Sequence, residues 1–184
     1  MLTDYLKENT KIYHDAIEGK LESNKLFDGS FSENNYYKML QVNHIFLKFY
    51  EEAIKNFLTE KDKEILDQVN FDKLNLIEKD LQELEIKELD LPKLFKLDNR
   101  AEAFGALYVI EGSMLGGNVI AKTLKKYPDL ENKSFNYFGH YGDKLGKSWK
   151  VFLSYINEEF TTENEKKEVF VGAKKAYEDL INFA

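Results

Sequence analysis

The sequence contains no cysteine and only two prolines among its 184 residues. Without cysteine there is no disulfide, no thiolate metal site and no thiol nucleophile, and a reducing compartment such as the cytoplasm is expected. The two prolines, Pro92 and Pro128, leave nearly the whole chain free to form long helices. The net charge of −7 argues against nucleic acid or an anionic membrane as the main partner.

Secretion signals and membrane spans are also lacking in the sequence pattern. The N-terminal residues carry acids and have no apolar core of signal length, so we expect no secretion signal. The most apolar window, from Ala103 to Ala121, contains Glu111 and Asn118, which are costly inside a bilayer. We therefore expect a protein outside the membrane, whose 43% hydrophobic residues build a core.

Helical spacing of apolar residues runs through almost the whole chain, and no period-two strand pattern is present. The spacing predicts helices over residues 2–21, 33–58, 72–88, 99–126, 144–160 and 162–184, with a short one after Thr59. Ser32 and Thr162 are predicted N-caps, the latter in a capping box with Glu165. Residues 89–100, around Pro92, are a predicted connector. With no repeat or linker, residues 1–184 are predicted to form one all-α domain, a helical bundle.

His14 shares one face of the first predicted helix with Leu6, Thr10 and Ile17. That face is mostly apolar, so we expect His14 to point inward. A core histidine bonded to its neighbours is one explanation, and a metal ligand is the other. We find no second histidine or carboxylate at ligand spacing on this inner face. A lone histidine suits an iron held by a macrocycle better than a bare ion.

The segment from Ala106 to Leu124 has helical spacing but holds three glycines, Gly112, Gly116 and Gly117. Together with Gly105, the first two fall on one stripe of the predicted helix. Each glycine costs about 1 kcal/mol relative to alanine in a helix interior, so a compensating role is expected. Close helix packing and the approach of a broad, flat ligand explain the stripe equally well. Adjacent glycines also predict a kink.

Three stretches of the sequence resemble the heme oxygenase family, in particular its bacterial, biliverdin-producing type. They are LKENTKIYH, ALYVIEGSMLGGNVIAKTL and YFGHYGDKLGKSWKVFLSYI. The resemblance implies a single-domain, all-α bundle with heme in a slot between the first helix and a glycine-rich, kinked helix. It implies oxidative opening of heme at a meso carbon to biliverdin, CO and ferrous iron. The partners implied are O2 and an external electron donor such as ferredoxin, flavodoxin or an NAD(P)H reductase.

The same resemblance implies roles for individual residues. His14 would be the axial ligand of the heme iron, and Glu18 would hold its surroundings by hydrogen bonding. The catalytic distal residues would be Gly112, Ser113, Gly116 and Gly117. The remaining heme-binding residues would be Lys7, Lys11, Tyr108, Lys147 and Lys150. Ser113 stands where mammalian-type members carry an aspartate, which leaves proton delivery to ordered water, backbone groups and Ser113.

Two other functions stay open at this point. A heme-binding protein of the same fold that sequesters or senses heme without turnover would share His14 and the glycine stripe. A thiaminase-like enzyme of related architecture would need a nucleophilic cysteine, which this sequence lacks. Of the other candidates, His44 is expected to be structural, His140 exposed and Trp149 a core anchor, while Glu111 is expected to pair with a basic group.

Overall fold

The computed structural model describes residues 1–90 and 94–184, and these residues are helical with no strand, as the spacing predicts. The helices are α1 (Leu2–Lys20), α2 (Lys25–Asp28), α3 (Glu33–Lys55), α4 (Glu60–Ile65), α5 (Lys73–Glu83), α6 (Arg100–Leu124), α7 (Asn136–Gly139), α8 (Leu145–Glu159) and α9 (Glu163–Phe183). A 3₁₀ turn, Gly142–Lys144, leads into α8. The predicted connector around Pro92 lies partly outside the described residues.

Side-chain caps set where several of these helices begin. The hydroxyls of Ser32, Thr59 and Thr162 each accept a hydrogen bond from the backbone N–H three residues on. Helix α5 ends at Glu83, earlier than predicted, because the chain turns at Glu85, whose φ is 55°. Helices α2 and α7 were not predicted, since four residues are too few to display a 3.6-residue period.

Helices α1 and α6 both pack against α9. Helix α6 packs most extensively on α9, and α1 packs on α9 and α8. The contact between α6 and α9 is a backbone contact. A Cβ atom at Gly105 would lie 1.9 Å from the Val169 carbonyl oxygen, and one at Gly172 would lie 2.0 Å from that of Glu102. Close helix packing is therefore the role of Gly105, at the N-terminal end of the glycine stripe.

Helix α6 is the one helix, within the described residues, whose length and apolarity would allow it to cross a membrane. Its placement is that of a core helix, because 61% of its most apolar window is buried inside the protein. The helix continues without a break through Gly116 and Gly117, and the kink expected there stays a prediction.

The two histidines outside α1 are both largely shielded from water. His44 lies in the core as expected, at 1% exposure, and burial lowers its pKa despite Glu78 and Glu88 nearby. His140 is half-buried, which corrects the expectation of an exposed loop residue. Its Nδ1 donates to the Tyr137 carbonyl oxygen at 2.7 Å, a contact created by the short α7 turn.

The Gly105→Ala variant should unfold more easily than the wild type, because the added methyl group would overlap the α9 backbone. We expect its free energy of unfolding to fall by about 1–3 kcal/mol. Gly19→Ala is the matched control, since a Cβ at this exposed position of α1 meets nothing within 4 Å, and it should stabilise by up to about 1 kcal/mol. Urea denaturation of both variants measures this difference. Equal effects would contradict the assigned packing role.

Candidate functional site

Two adjoining cavities lie between α1 and α6, with volumes of about 680 Å³ and 290 Å³. The larger volume is typical of a small-molecule site. Both cavities are lined by His14, Glu18, Gly112, Leu115 and Tyr177, so they form one continuous groove, which we call the α1–α6 cleft. The cleft exists because α1 is held against α9 and α8 instead of packing onto the glycine-bearing part of α6.

The two parts of the cleft differ in character. The larger part opens beside polar residues of α1, among them Thr3, Asp4, Lys7 and Lys11. The smaller part is walled mainly by apolar side chains. These include Ile17, Leu21, Leu26, Val109, Ile120 and Phe138. A broad, apolar ligand with charged groups at one edge would match this division.

His14 lies on the predicted face of α1 and lines the cleft. Its side chain is 53% exposed, so the explanation as a core histidine bonded to its neighbours is wrong. Leu6, Thr10 and Ile17 on the same face are buried against neighbouring elements, whereas His14 lies where that face borders the cleft. Spacing alone identified the face correctly but could not show that a cleft, and not a helix, stands opposite this position.

Two carboxylates lie beside one nitrogen of the His14 ring. The Nδ1 atom is 3.6 Å from Oε2 of Glu18 and 3.9 Å from Oδ1 of Asp15. This corrects the inference that no carboxylate lies at ligand spacing, because Asp15 and Glu18 are turned toward His14. Carboxylates beside Nδ1 are the usual means of orienting a histidine that binds a metal through its other nitrogen. The three groups lie within 4.8 Å of one another and could also hold a bare cation at this exposed surface.

Helix α6 presents bare backbone to the cleft at Gly112 and Gly116. A Cβ added at Gly116 would meet nothing within 4 Å, and one at Gly112 would lie 3.7 Å from the Trp149 ring. No packing constraint therefore requires glycine at either position. Gly112 and Gly116 thus differ from Gly105, which packs on the α9 backbone. They leave space at the cleft wall that any side chain would occupy.

The other two predicted distal residues lie in different surroundings. Gly117 faces α7, because a Cβ there would approach the Phe138 carbonyl oxygen to 2.9 Å. Close packing against α7 is therefore enough to explain why this position is glycine. Ser113 lines the apolar part of the cleft and donates to the Ile110 carbonyl oxygen at 2.7 Å, which leaves its lone pairs available as acceptors.

The four predicted lysines divide between the cleft and other surfaces. Lys7 and Lys11 line the cleft, and Lys11 is paired with Asp15 at 2.5 Å. Lys147 instead lines a separate cavity of about 540 Å³ beside His140. Lys150 is exposed on α8, next to Trp149, whose ring contributes to the cleft wall.

Aromatic residues form part of the wall near His14. Tyr108 lines the cleft, with its ring centroid 5.6 Å from that of Trp149, so Trp149 is a wall residue as well as a packing anchor. Tyr177 from α9 stands with its ring 6.4 Å from that of His14 and nearly perpendicular to it. Burial raises the pKa of both tyrosines, so these walls stay uncharged at neutral pH.

One polar residue at the apolar end of the cleft was missed in the sequence. Asn43 of α3 lines the cleft, is 8% exposed, and donates to the Met39 carbonyl oxygen at 2.8 Å. It accepts a hydrogen bond from the buried Tyr137 hydroxyl at 3.2 Å. The only sequence signal was an asparagine within an apolar helix. Its partner lies 94 residues away on a turn too short to predict.

The fold and the cleft together define an all-helical protein that can hold a flat, apolar, acidic ligand between a histidine and bare glycine backbone. Comparison with known proteins agrees with this class, because the heme oxygenase family model matches residues 1–183. The chain belongs to the heme oxygenase family.

Individual relatives support the same assignment. A curated heme oxygenase from Xanthomonas campestris pv. campestris is 30% identical over 79 residues, which cover 43% of this chain and 47% of that protein. The match thus spans about half the length of that relative. The fold is similar to that of a heme oxygenase from Neisseria meningitidis, solved with NO and CO bound. The TM-score is 0.75 at 23% identity, covering 100% of this chain and 89% of the other.

The Gly116→Leu variant should fold but bind heme more weakly in the cleft. The leucine side chain would enter open space at the cleft wall, so we expect little loss of stability and at least about a tenfold rise in the Kd for heme. Gly117→Ala is the neighbouring control, because its methyl group would press on Phe138 and should lower stability while sparing heme affinity more. Hemin titration and urea denaturation measure both quantities. Stoichiometric, tight binding by the Gly116→Leu variant would contradict the cleft assignment.

Proposed function

We propose that this protein is a heme oxygenase that binds heme as its substrate in the α1–α6 cleft. It would open the ring at a meso carbon to yield biliverdin, CO and ferrous iron, using O2 and electrons from an external donor. A ferredoxin, a flavodoxin or an NAD(P)H reductase would suit a reaction in the cytoplasm. The observation that carries this proposal is His14 on one wall of the cleft opposite the bare backbone of Gly112 and Gly116 on the other.

On the α1 side, His14 supplies a neutral imidazole ligand for the iron. Glu18 and Asp15 lie on the Nδ1 side of the ring and favour a proton there, which leaves Nε2 with its lone pair for the metal. Lys7 and Lys11 stand at the mouth of the larger part of the cleft, where they would pair with the carboxylates of the heme.

On the α6 side, the cleft combines open space with a few hydrogen-bonding groups. Residues that α6 contributes to the lining, from Tyr108 to Ile120, include no acid, although Glu111 lies in the same segment and faces away. In heme proteins, the polarity and the hydrogen-bond donors of the pocket on the O2 side decide whether O2 is bound or activated. Ser113 and Asn43 offer partners to ordered water, which can carry protons inward.

The direct test adds hemin to the purified protein and then a reductant under air while absorption spectra are recorded. We expect a one-to-one complex with a Soret band that decays as biliverdin absorbance rises. A Soret band that survives reduction and O2 would show a heme-binding protein without turnover and contradict the enzymatic proposal. Absence of any Soret band would contradict heme binding altogether.

The His14→Ala variant should lose turnover, because it removes the one imidazole that lines the cleft among the described residues. We expect an altered heme spectrum and partial recovery of the native spectrum when imidazole is added, since free imidazole can occupy the space. Lys147→Ala is a control on a separate cavity and should leave the spectrum unchanged. Normal spectra and turnover in the His14→Ala variant would refute the ligand assignment.

A further inference from the structure

A buried ion pair joins α6 to α5 directly behind the cleft. Lys73 Nζ lies 2.6 Å from Oε1 of Glu111, and the two side chains are only 2% and 4% exposed. The Tyr141 hydroxyl donates to the other carboxylate oxygen, Oε2, at 2.7 Å. Lys73 also donates to the Asn70 carbonyl oxygen. Both carboxylate oxygens of Glu111 are thus engaged, which confirms the expected basic partner.

Stability alone does not account for this arrangement. Removing two charges from water costs several kcal/mol per ion, and replacing a buried pair with apolar residues is often neutral or stabilising. The best-supported benefit of a buried pair is that it fixes one register among alternatives. A helix whose packing side chains are few has the greatest need of such a constraint.

Helix α6 has that need at its glycine segment, residues 112–117. Gly112 and Gly116 offer the cleft no side chain that could lock the rotation of the helix. The constraints come instead from the other side. Glu111 is held by Lys73 and Tyr141, Gly117 is pressed on Phe138, and the Asn118 side chain donates to the Gly142 carbonyl oxygen at 2.8 Å.

We propose that Lys73 and Tyr141 are positioning residues for the cleft. Through Glu111 they fix the rotation and register of residues 112–117, and thereby the distance between that backbone and His14. This inference deepens the proposed function and rests on it for its consequence in catalysis. The mechanical part concerns the protein alone and is tested without heme.

The test replaces the pair by apolar residues in the double variant Lys73→Met/Glu111→Leu. Removing both charges avoids a lone buried charge, so we expect global stability close to the wild type. Amide hydrogen exchange in residues 112–118 should nevertheless be about five- to tenfold faster, while exchange in residues 103–109, clamped on α9, stays unchanged. Unchanged exchange in residues 112–118 would overturn the inference.

A matched control uses another ion pair on the same helix. Lys175 of α9 bonds Glu102 at 2.7 Å near the N-terminal end of α6. The Lys175→Met/Glu102→Leu variant should leave exchange in residues 112–118 as it is. If it accelerates that exchange equally, the pair at Glu111 has no special positioning role. Tyr141→Phe keeps both charges but removes the hydroxyl that donates to Glu111 and accepts from the Asn70 N–H at 3.2 Å and from Lys73 Nζ at 3.3 Å. It gives a milder test in case the double variant fails to fold, and it should produce a smaller acceleration in the same residues.

The consequence for the cleft is read from the infrared C–O stretch of the ferrous CO complex and from the distribution of biliverdin isomers. We expect the Lys73→Met/Glu111→Leu variant to shift or broaden the C–O band and to broaden the isomer distribution, effects that stability alone would not produce. A wild-type band and isomer pattern in this variant would contradict the positioning role. If the wild type binds no heme, the proposed function fails while the exchange experiment still decides the mechanical inference.

Discussion

The backbone contact between α6 and α9 is the constraint on which the rest of the structure depends. Gly105 of α6 and Gly172 of α9 have no side chain, so the backbones of the two helices come into direct contact. The carbonyl oxygen of each helix occupies the place that a Cβ atom of the other would need. Helix α9 also carries α1, so the two helices that wall the cleft share one support. The cleft therefore exists because α1 and α6 both pack on α9. Its width depends on these contacts with α9 as well as on the residues that line it.

This arrangement divides the glycines of α6 by task. Gly105 and Gly117 serve packing, whereas Gly112 and Gly116 leave the cleft wall bare. The sequence showed that these glycines recur at helical spacing. That spacing tells which residues share one face of the helix, but not what lies opposite them. Which neighbour stands opposite each turn depends on α9 and α7, which are distant in the chain. Close packing explains Gly105 and Gly117, whereas the approach of a ligand to Gly112 and Gly116 is what we propose.

Much of the fold could be predicted because long helices repeat their apolar pattern over many turns. The helix starts at Ser32 and Thr162 could be predicted as well, because each N-cap bonds a backbone N–H only three residues further along the chain. The failures are nonlocal. His14 was placed on the right face, but its spacing could not decide between a core histidine and a residue of a cleft wall. Lys147 was grouped with the cleft although it lines another cavity. Asn43 escaped notice because its partner, Tyr137, comes from a four-residue turn.

The position of heme underlies each role proposed for the cleft, so a crystal structure of the heme complex is the most direct test. We predict that the ring lies between α1 and α6, with iron bound by Nε2 of His14 and the carboxylates toward Lys7. The opposite edge should lie in the apolar part of the cleft, beside Gly116. Heme bound in the cavity beside Lys147 and His140, or iron held by a residue other than His14, would contradict the account.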